Sequence, residues 1–187
     1  MQFMPRVSVV IVDYFKADRV LQNVRGALGQ VGDFQIDIVI VDNSCDEGNK
    51  RLLGQFDDVE NVTVVYNDRN AGYTQACNQG AALSGGDYIF LVNPDIVWKS
   101  SSIVSHLLEQ FRSDTSVVVI GTRQENDDGT TPDTVRSFPN LVAQVARRTF
   151  LRKLPWFKGR VASYEVQNFD YSVTASVDWV QSSFMVV

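Results

Sequence analysis

The chain has 187 residues, enough for one domain with a sizeable core and too few for two. Its composition, 44% apolar and 21% charged, is ordinary for a globular protein, and its longest apolar runs of about six residues fall far short of the roughly 20 that cross a bilayer. A net charge of −5 and the absence of any recognised nucleic-acid module exclude nucleic acid as a partner.

The N-terminal "MQFMPR" lacks the basic start and apolar stretch of a signal peptide, so a cytoplasmic location is expected. "VSVVIV" (7–12) reads as a strand buried on both faces. "ADRVLQNVRGALGQV" (17–31) puts Val20, Leu21, Val24, Ala27, Leu28 and Val31 on one helical stripe, with Asp18 as the expected N-cap. "IDIVIVD" (36–42) is a second strand, "EGNKRLLGQF" (47–56) a short helix and "VTVVYN" (62–67) a third strand. "YTQACNQGAALSG" (73–85) is a helix stopped by Gly85-Gly86, and "DYIFLV" (87–92) is the fourth strand. "SSSIVSHLLEQFRS" (100–113) is a helix, with His106 on its surface, and "SVVVIG" (116–121) a fifth strand. Cys45 and Cys77 have no metal spacing and read as free thiols.

Beyond residue 121 the pattern changes. "ENDDGTTPD" (125–133) is a polar turn, and "SVTASVDWVQSSFMVV" (172–187) reads as strand. The apolar end, Phe184 to Val187, has no polar cap, which leads us to expect a truncated protein. The expected division is a core over residues 1–121, then residues 122–187 as a basic segment and the start of an acceptor-side region. From Arg136 to Arg160 there are seven basic residues and no acidic one, leaving 10 basic and 22 acidic residues elsewhere. "LVAQVARRTFLRKLPWFKGR" (141–160) reads either as a basic amphipathic surface lying on an anionic membrane or as a solvated helix over the core.

Near-continuous β-branched strands separated by helices imply an α/β fold, a mostly parallel sheet flanked by helices on both faces. Ligands of such sheets bind beyond the carboxyl ends of the strands. Polar residues stand at those ends: Asp13-Tyr14, Asp42-Asn43-Ser44, Asn67-Asp68 and Asn93-Pro94-Asp95. The carboxylates are therefore expected to converge on one edge. Both the dinucleotide fingerprint Gly-x-Gly-x-x-Gly and the phosphate loop Gly-x4-Gly-Lys-Ser/Thr are missing. A divalent cation anchored by a carboxylate is the remaining way to hold a diphosphate, and hard oxygen ligands suit Mg or Mn. Asp95 is placed for that task, because Pro94 restricts its own backbone and that of Asn93.

"VSVVIVDYFKADRVLQNVRGALGQ", "IVIVDNSCDEG" and "NDRNAGYTQACNQGAALSGGDYIFLVNPDI" resemble the family 2 glycosyltransferases of the GT-A fold, and so do "VRSFPN" and "VDWVQSSFMVV". The rhamnosyltransferase-like members are the subgroup the chain resembles. The resemblance covers most of residues 6–121 and recurs in patches to 187. It implies that Asp42 contacts the base or ribose of a nucleotide. It implies also that Asn70, Gly72 and Asn78 close over the nucleotide sugar, and that Asp95 is the last carboxylate of an Asp-x-Asp motif, binding a metal that bridges two phosphates. Asn93 replaces the first Asp of that motif and brings no charge, and Ser182-Ser183 stand where the family often has glycine. The donor-binding candidates are thus Asp13, Tyr14, Asp42, Asn70, Gly72, Asn78, Asn93 and Asp95, with Asp95 the metal candidate. Tyr14 and Tyr73 either stack on the base or pack.

The reaction implied is inverting transfer of a sugar from a nucleotide diphosphate, dTDP-rhamnose or a UDP-sugar, to a glycan or lipid-linked acceptor at the inner face of the cell membrane. The family's general base lies in an acidic motif beyond the strand matching "SSFMVV", so none is assigned within the chain. Two further classes stay open: a non-catalytic nucleotide-sugar-binding module and a sugar nucleotidyltransferase.

Overall fold

A computed structural model of the chain describes residues 4–138 and 169–187, together with residues 145, 149 and 166. The stretch 141–160 lies outside the described residues apart from 145 and 149, and with it the expected membrane-facing surface. The chain forms two compact units, Met1–Ile120 with Ser182–Val187, and Gly121–Gln181.

In the first unit β1 (Arg6–Asp13), β2 (Gln35–Asp42), β3 (Val62–Tyr66) and β4 (Tyr88–Val92) alternate with α1 (Ala17–Leu28), α2 (Glu47–Leu53) and α3 (Tyr73–Leu83). After β4 come α4 (Ile103–Ser113), β5 (Ile120–Gly121) and, at the far end of the chain, β8 (Phe184–Val186). The sheet order is β3-β2-β1-β4-β8-β5. β1 pairs in parallel with β2 and β4, and β2 with β3, so all four strands end on the same edge. This is the expected α/β architecture.

Alternation along the strands divides the core. Val7, Val9 and Ile11 of β1 and Ile38 and Ile40 of β2 face one way, against Val20, Val24 and Ala27 of α1 and Val104 and Leu108 of α4. Val10, Val12, Val39 and Val41 face the other way, against Ala76 and Cys77 of α3. Each fully buried Val, Ile or Phe contributes roughly 1.5–3 kcal/mol relative to exposure, and both faces of β1 and β2 collect it. At the opposite edge, away from the strand ends, Arg6 donates through Nε to Asp37 at 2.8 Å and through its backbone N–H to Asp87 at 2.8 Å.

Several boundaries differ from expectation. Asp18 is not the N-cap of α1: Lys16 holds that position, and Asp18 lies in the first turn, where its charge suits the positive end of the helix dipole. The turn itself is made by Asp13, whose Oδ1 accepts the backbone N–H of Lys16 at 2.9 Å. The helix expected from residue 100 starts only at Ile103, because Ser102 donates its backbone N–H to Ser100 Oγ at 3.2 Å. The buried amide of Gln30 then accepts the N–H of Val104, also at 3.2 Å. Of the strand expected over 116–121, Ile120–Gly121 alone joins a ladder, and Val118 stays 74% exposed. The expected strand over 172–187 is two short ones, β7 (Trp179–Val180) and β8. β8 runs antiparallel to β4, pairing Phe90 with Val186 and Val92 with Phe184.

In the second unit β6 (Val135–Arg136) pairs antiparallel with β7. Tyr171 Oη accepts the N–H of Thr134 at 2.9 Å, and Asp178 Oδ2 accepts that of Phe138 at 3.0 Å.

Candidate active site

From β1 the chain steps to β2 and β3 on one side and to β4 on the other, so the strand order reverses at β1. A crevice beyond the carboxyl ends at such a reversal is where open α/β sheets bind ligands. Asp13 and Asp42 are register partners at the last rung of β1 and β2. Both are buried, at 0% and 2% exposure. Two adjacent buried carboxylates repel, and a single amide reconciles them. Asn49 Nδ2 donates to Asp13 Oδ2 at 2.5 Å and to Asp42 Oδ1 at 3.0 Å, while its Oδ1 accepts the N–H of Ala17 at 3.3 Å. Asn49 is held there by the start of α2, where Asp46 caps the helix by accepting the N–H of Asn49 at 2.8 Å. Asp42 Oδ1 also accepts the N–H of Ser44 at 2.8 Å.

Burial pushes the Asp13 carboxyl above its ordinary value of 3.8; the bonds from Asn49 and the Lys16 N–H oppose that rise, and the charge on Asp42 adds to it. The folded state therefore holds this proton more tightly than the unfolded chain, so Asp13 contributes less stability as pH rises from 3.8 through the raised value. In urea unfolding, the stability of the protein relative to an Asp13→Asn variant is expected to decline as pH rises above about 4.

At the end of β4 the Asn93-Pro94-Asp95 turn is fixed from three sides. Asn93 donates its N–H to Ser183 O at 2.8 Å, its carbonyl accepts the N–H of Ile96 at 3.2 Å, and the same carbonyl accepts Nδ2 of Asn23 at 2.8 Å. Asn23, fully buried on α1, also accepts Trp98 Nε1 at 2.7 Å. The Trp98 ring lies over Gly26, where a Cβ would come within 2.7 Å of it. Tyr73 Oη donates to Asn93 Oδ1 at 3.3 Å and reaches Ser182 O at 3.4 Å. Burial pushes its phenol up to about 12, so it stays a donor at neutral pH. Tyr73 thus braces the turn, while Tyr14 is 53% exposed, with its ring edge-on to Phe15 at 4.8 Å.

Asp95 is exposed and ion-paired, its Oδ2 lying 2.8 Å from Lys16 Nζ. Lys16 therefore touches both carboxylates flanking the reversal point, Asp13 through its backbone and Asp95 through its side chain. A cleft of about 440 Å³ is lined there by Phe15, Lys16, Arg19, Asn49, Leu52 and Asp95. Phe15, part of that lining, holds a φ of 57°, a conformation that residues other than glycine rarely adopt. Across β2, Asn67 donates to Asn43 Oδ1 at 2.7 Å and to Gln79 at 3.0 Å. A second cleft of about 240 Å³ lies beside them, lined in part by Asp68, Arg69 and Gln75. Asn70 accepts the N–H of Gly72 at 2.9 Å, and Gly72, at φ 81°, opens α3 in a conformation suited to glycine. Asn78 is exposed on α3 and hydrogen-bonds to none of the other candidates among the described residues.

The rim thus gathers Asp13, Asp42, Asn93 and Asp95, as expected from the strand ends. Lys16, Asn23 and Asn49 carry the contacts that arrange them and were not expected. Among the described residues no group of three or more His, Cys, Asp and Glu side chains is placed to hold a metal ion. As a cation site the rim offers the half-exposed Asp95 carboxylate, on the same turn as the Asn93 amide, whose oxygen accepts from Tyr73. One carboxylate fits Mg or Mn, which keep waters and take substrate phosphates as their other ligands.

Residues 8–175 match the profile of the family described as "Glycosyl transferase family 2". The chain is 28% identical over 104 residues to TuaG of Bacillus subtilis, a glycosyltransferase named for teichuronic acid biosynthesis, covering 55% of this chain and 41% of that protein. Its fold is that of mannosyltransferase PcManGT from Pyrobaculum calidifontis, solved with GDP-Man and Mn2+, at a TM-score of 0.58 and 17% identity over 67% of this chain and 37% of that one. S. aureus TarS in complex with UDP gives 0.55 and 16%, over 68% and 38%. The chain spans about two fifths of the length of the curated relatives it matches. No helix among the described residues is long and apolar enough to cross a membrane.

Proposed function

Because the chain belongs to glycosyl transferase family 2, we propose that its sheet edge binds a nucleotide-diphosphate sugar and serves inverting transfer of that sugar to a glycan or lipid-linked acceptor in cell-surface polysaccharide synthesis. The observation that carries this reading is the meeting of Asp13, Asp42 and the Asn93–Asp95 turn along one rim at the reversal point of the sheet. Asp42, together with the Asn43–Asn67–Gln79 amides and the Gly72 loop, faces the nucleoside. Asp95 faces the diphosphate and is the residue that would hold a divalent ion, Mg or Mn, which when bound neutralises charge building on the leaving diphosphate. The donor is dTDP-rhamnose or a UDP-sugar, and the rhamnosyltransferase-like members are the subgroup proposed. The work is done at the cytoplasmic face of the membrane.

The chain's own residues supply binding and orientation. Buried Asn23 holds the Asn93 carbonyl, so Asp95 is presented by a turn whose backbone is braced before the donor arrives. Asn49 keeps Asp13 and Asp42 at hydrogen-bonding distance from one amide, which sets the floor of the site. The acceptor hydroxyl needs a general base, and none is assigned within the chain; Asp178 Oδ2 accepts the Phe138 N–H.

Calorimetric titration of the chain with UDP, dTDP and GDP, each with EDTA and with Mn2+, tests the reading. One nucleotide should bind in preference and more tightly with Mn2+. Binding of none contradicts it, and release of pyrophosphate from a sugar phosphate and a nucleoside triphosphate would point to a nucleotidyltransferase instead.

A further inference from the structure

The rim turn carries one carboxylate, Asp95, and one ammonium already meets it. Lys16 Nζ lies 2.8 Å from Asp95 Oδ2, across 79 residues of sequence. Asn93 brings no charge, so Lys16 and Asp95 together leave this part of the site neutral. The two ends of Lys16 behave differently. Its backbone N–H is fixed on Asp13 Oδ1 at 2.9 Å. Its side chain is 49% exposed, and that of Asp95 is 47% exposed. An exposed pair of this kind is weak and readily exchanged, and the lysine stem swings a compact, freely rotating ammonium about its anchored root.

Resting on the reading of Asp95 as the cation residue, we propose that Lys16 and a divalent cation are alternative partners of Asp95, and that the ammonium exchanged off Asp95 pairs with the diphosphate of the donor. Three features of the site bear on this. The ammonium sits on an oxygen that an ion held by Asp95 needs, so the two compete. A doubly charged ion outcompetes a single ammonium for one carboxylate by its charge. Lys16 also lines the same cleft as Asp95, so the freed ammonium stays beside any diphosphate bound there. With the ion in place, Lys16 and Asp95 cancel and the cluster of ion, Lys16 and Asp95 carries about two positive charges, matching the roughly two negative charges of a nucleotide-sugar diphosphate. Lys16 thus opposes the ion when it binds alone and supports the donor when both bind, which makes the two ligands interdependent.

The test measures two affinities in Lys16→Gln, Lys16→Arg, Asp95→Asn and the unaltered chain: Mn2+ alone, and the tightest binder among UDP, GDP and dTDP at saturating Mn2+. Thermal unfolding checks that each variant folds. Lys16→Gln is expected to tighten Mn2+ by about two- to fivefold and to weaken the nucleotide by about tenfold. Lys16→Arg, which keeps the charge, returns both toward the unaltered values. Weaker or unchanged Mn2+ affinity in Lys16→Gln, with Mn2+ binding lost in Asp95→Asn, overturns the exchange and leaves the role of Asp95 standing. Unchanged nucleotide affinity in Lys16→Gln also overturns it. Mn2+ affinity unaffected by Asp95→Asn overturns the role of Asp95 and the exchange with it.

Discussion

Asn49→Leu is expected to lower the free energy of unfolding by about 3 kcal/mol at neutral pH. Leucine keeps the branched outline and the number of side-chain heavy atoms of asparagine, and the site is 6% exposed, so no cavity is opened. Two charge-assisted hydrogen bonds disappear, one to each carboxylate. Asp13 and Asp42, 0% and 2% exposed, are then left side by side with backbone donors alone, the N–H groups of Lys16 and Ser44. Taking a partner away from buried charge is among the few single changes that destabilise this strongly. The deficit should narrow as pH falls, because burial holds the Asp13 carboxyl above its ordinary value and its protonation removes the repulsion from Asp42. Urea unfolding of the variant and the unaltered chain at about pH 5 and about pH 7 checks both statements. A loss below about 1 kcal/mol at neutral pH would mean that this amide does not hold the pair together.

Asp95→Asn is expected to act in the opposite way, with large effects on binding and small ones on folding. Its carboxylate is half exposed and its pairing with Lys16 is a surface ion pair, so stability should change by less than about 1 kcal/mol. The same carboxylate is the one charged ligand the rim turn offers a divalent ion. Removing even an indirect partner of a bound metal weakens it by about 10- to 100-fold, and removing the ligand itself should reach at least the upper figure. The Mn2+-dependent gain in nucleotide affinity should therefore vanish, while affinity in EDTA is little altered. Asp42→Ala serves as the contrast, lowering nucleotide affinity equally with and without Mn2+. Calorimetry with and without the ion separates the two patterns. A Mn2+-dependent gain that survives in Asp95→Asn would place the ion elsewhere.

The strand-end carboxylates were legible in the sequence because strands declare themselves locally. Runs such as "VSVVIV" and "IDIVIVD" are β-branched throughout, and β1 and β2 extend them by a residue or so at Arg6, Asp13 and Gln35. Once strands and helices alternate, parallel pairing follows, and with it the convergence of Asp13, Asp42 and the Asn93–Asp95 turn. The arranging residues were not legible, because their partners are remote in sequence. Asn49 is 36 residues from Asp13, Asn23 is 70 from Asn93, and Lys16 is 79 from Asp95. A buried asparagine on a helix and a lysine in a loop carry no local signal of that use. The same distance effect explains the elements that differed. "SVVVIG" has the composition of a buried strand, yet its pairing depends on β8, which lies more than 60 residues on and offers a short edge. The start of α4 is set by Gln30, which reaches Val104 from the end of α1.

The most direct test is where a nucleotide lands. Amide NMR spectra of the chain, recorded while adding UDP or dTDP with Mg2+, should show shifts gathered on Asp13, Asp42 to Ser44, Gly72, Asn93 and Asp95, with Arg6, Asp37 and Asp87 at the far edge unmoved. Shifts centred on that far edge, or none at any nucleotide concentration, would contradict the account.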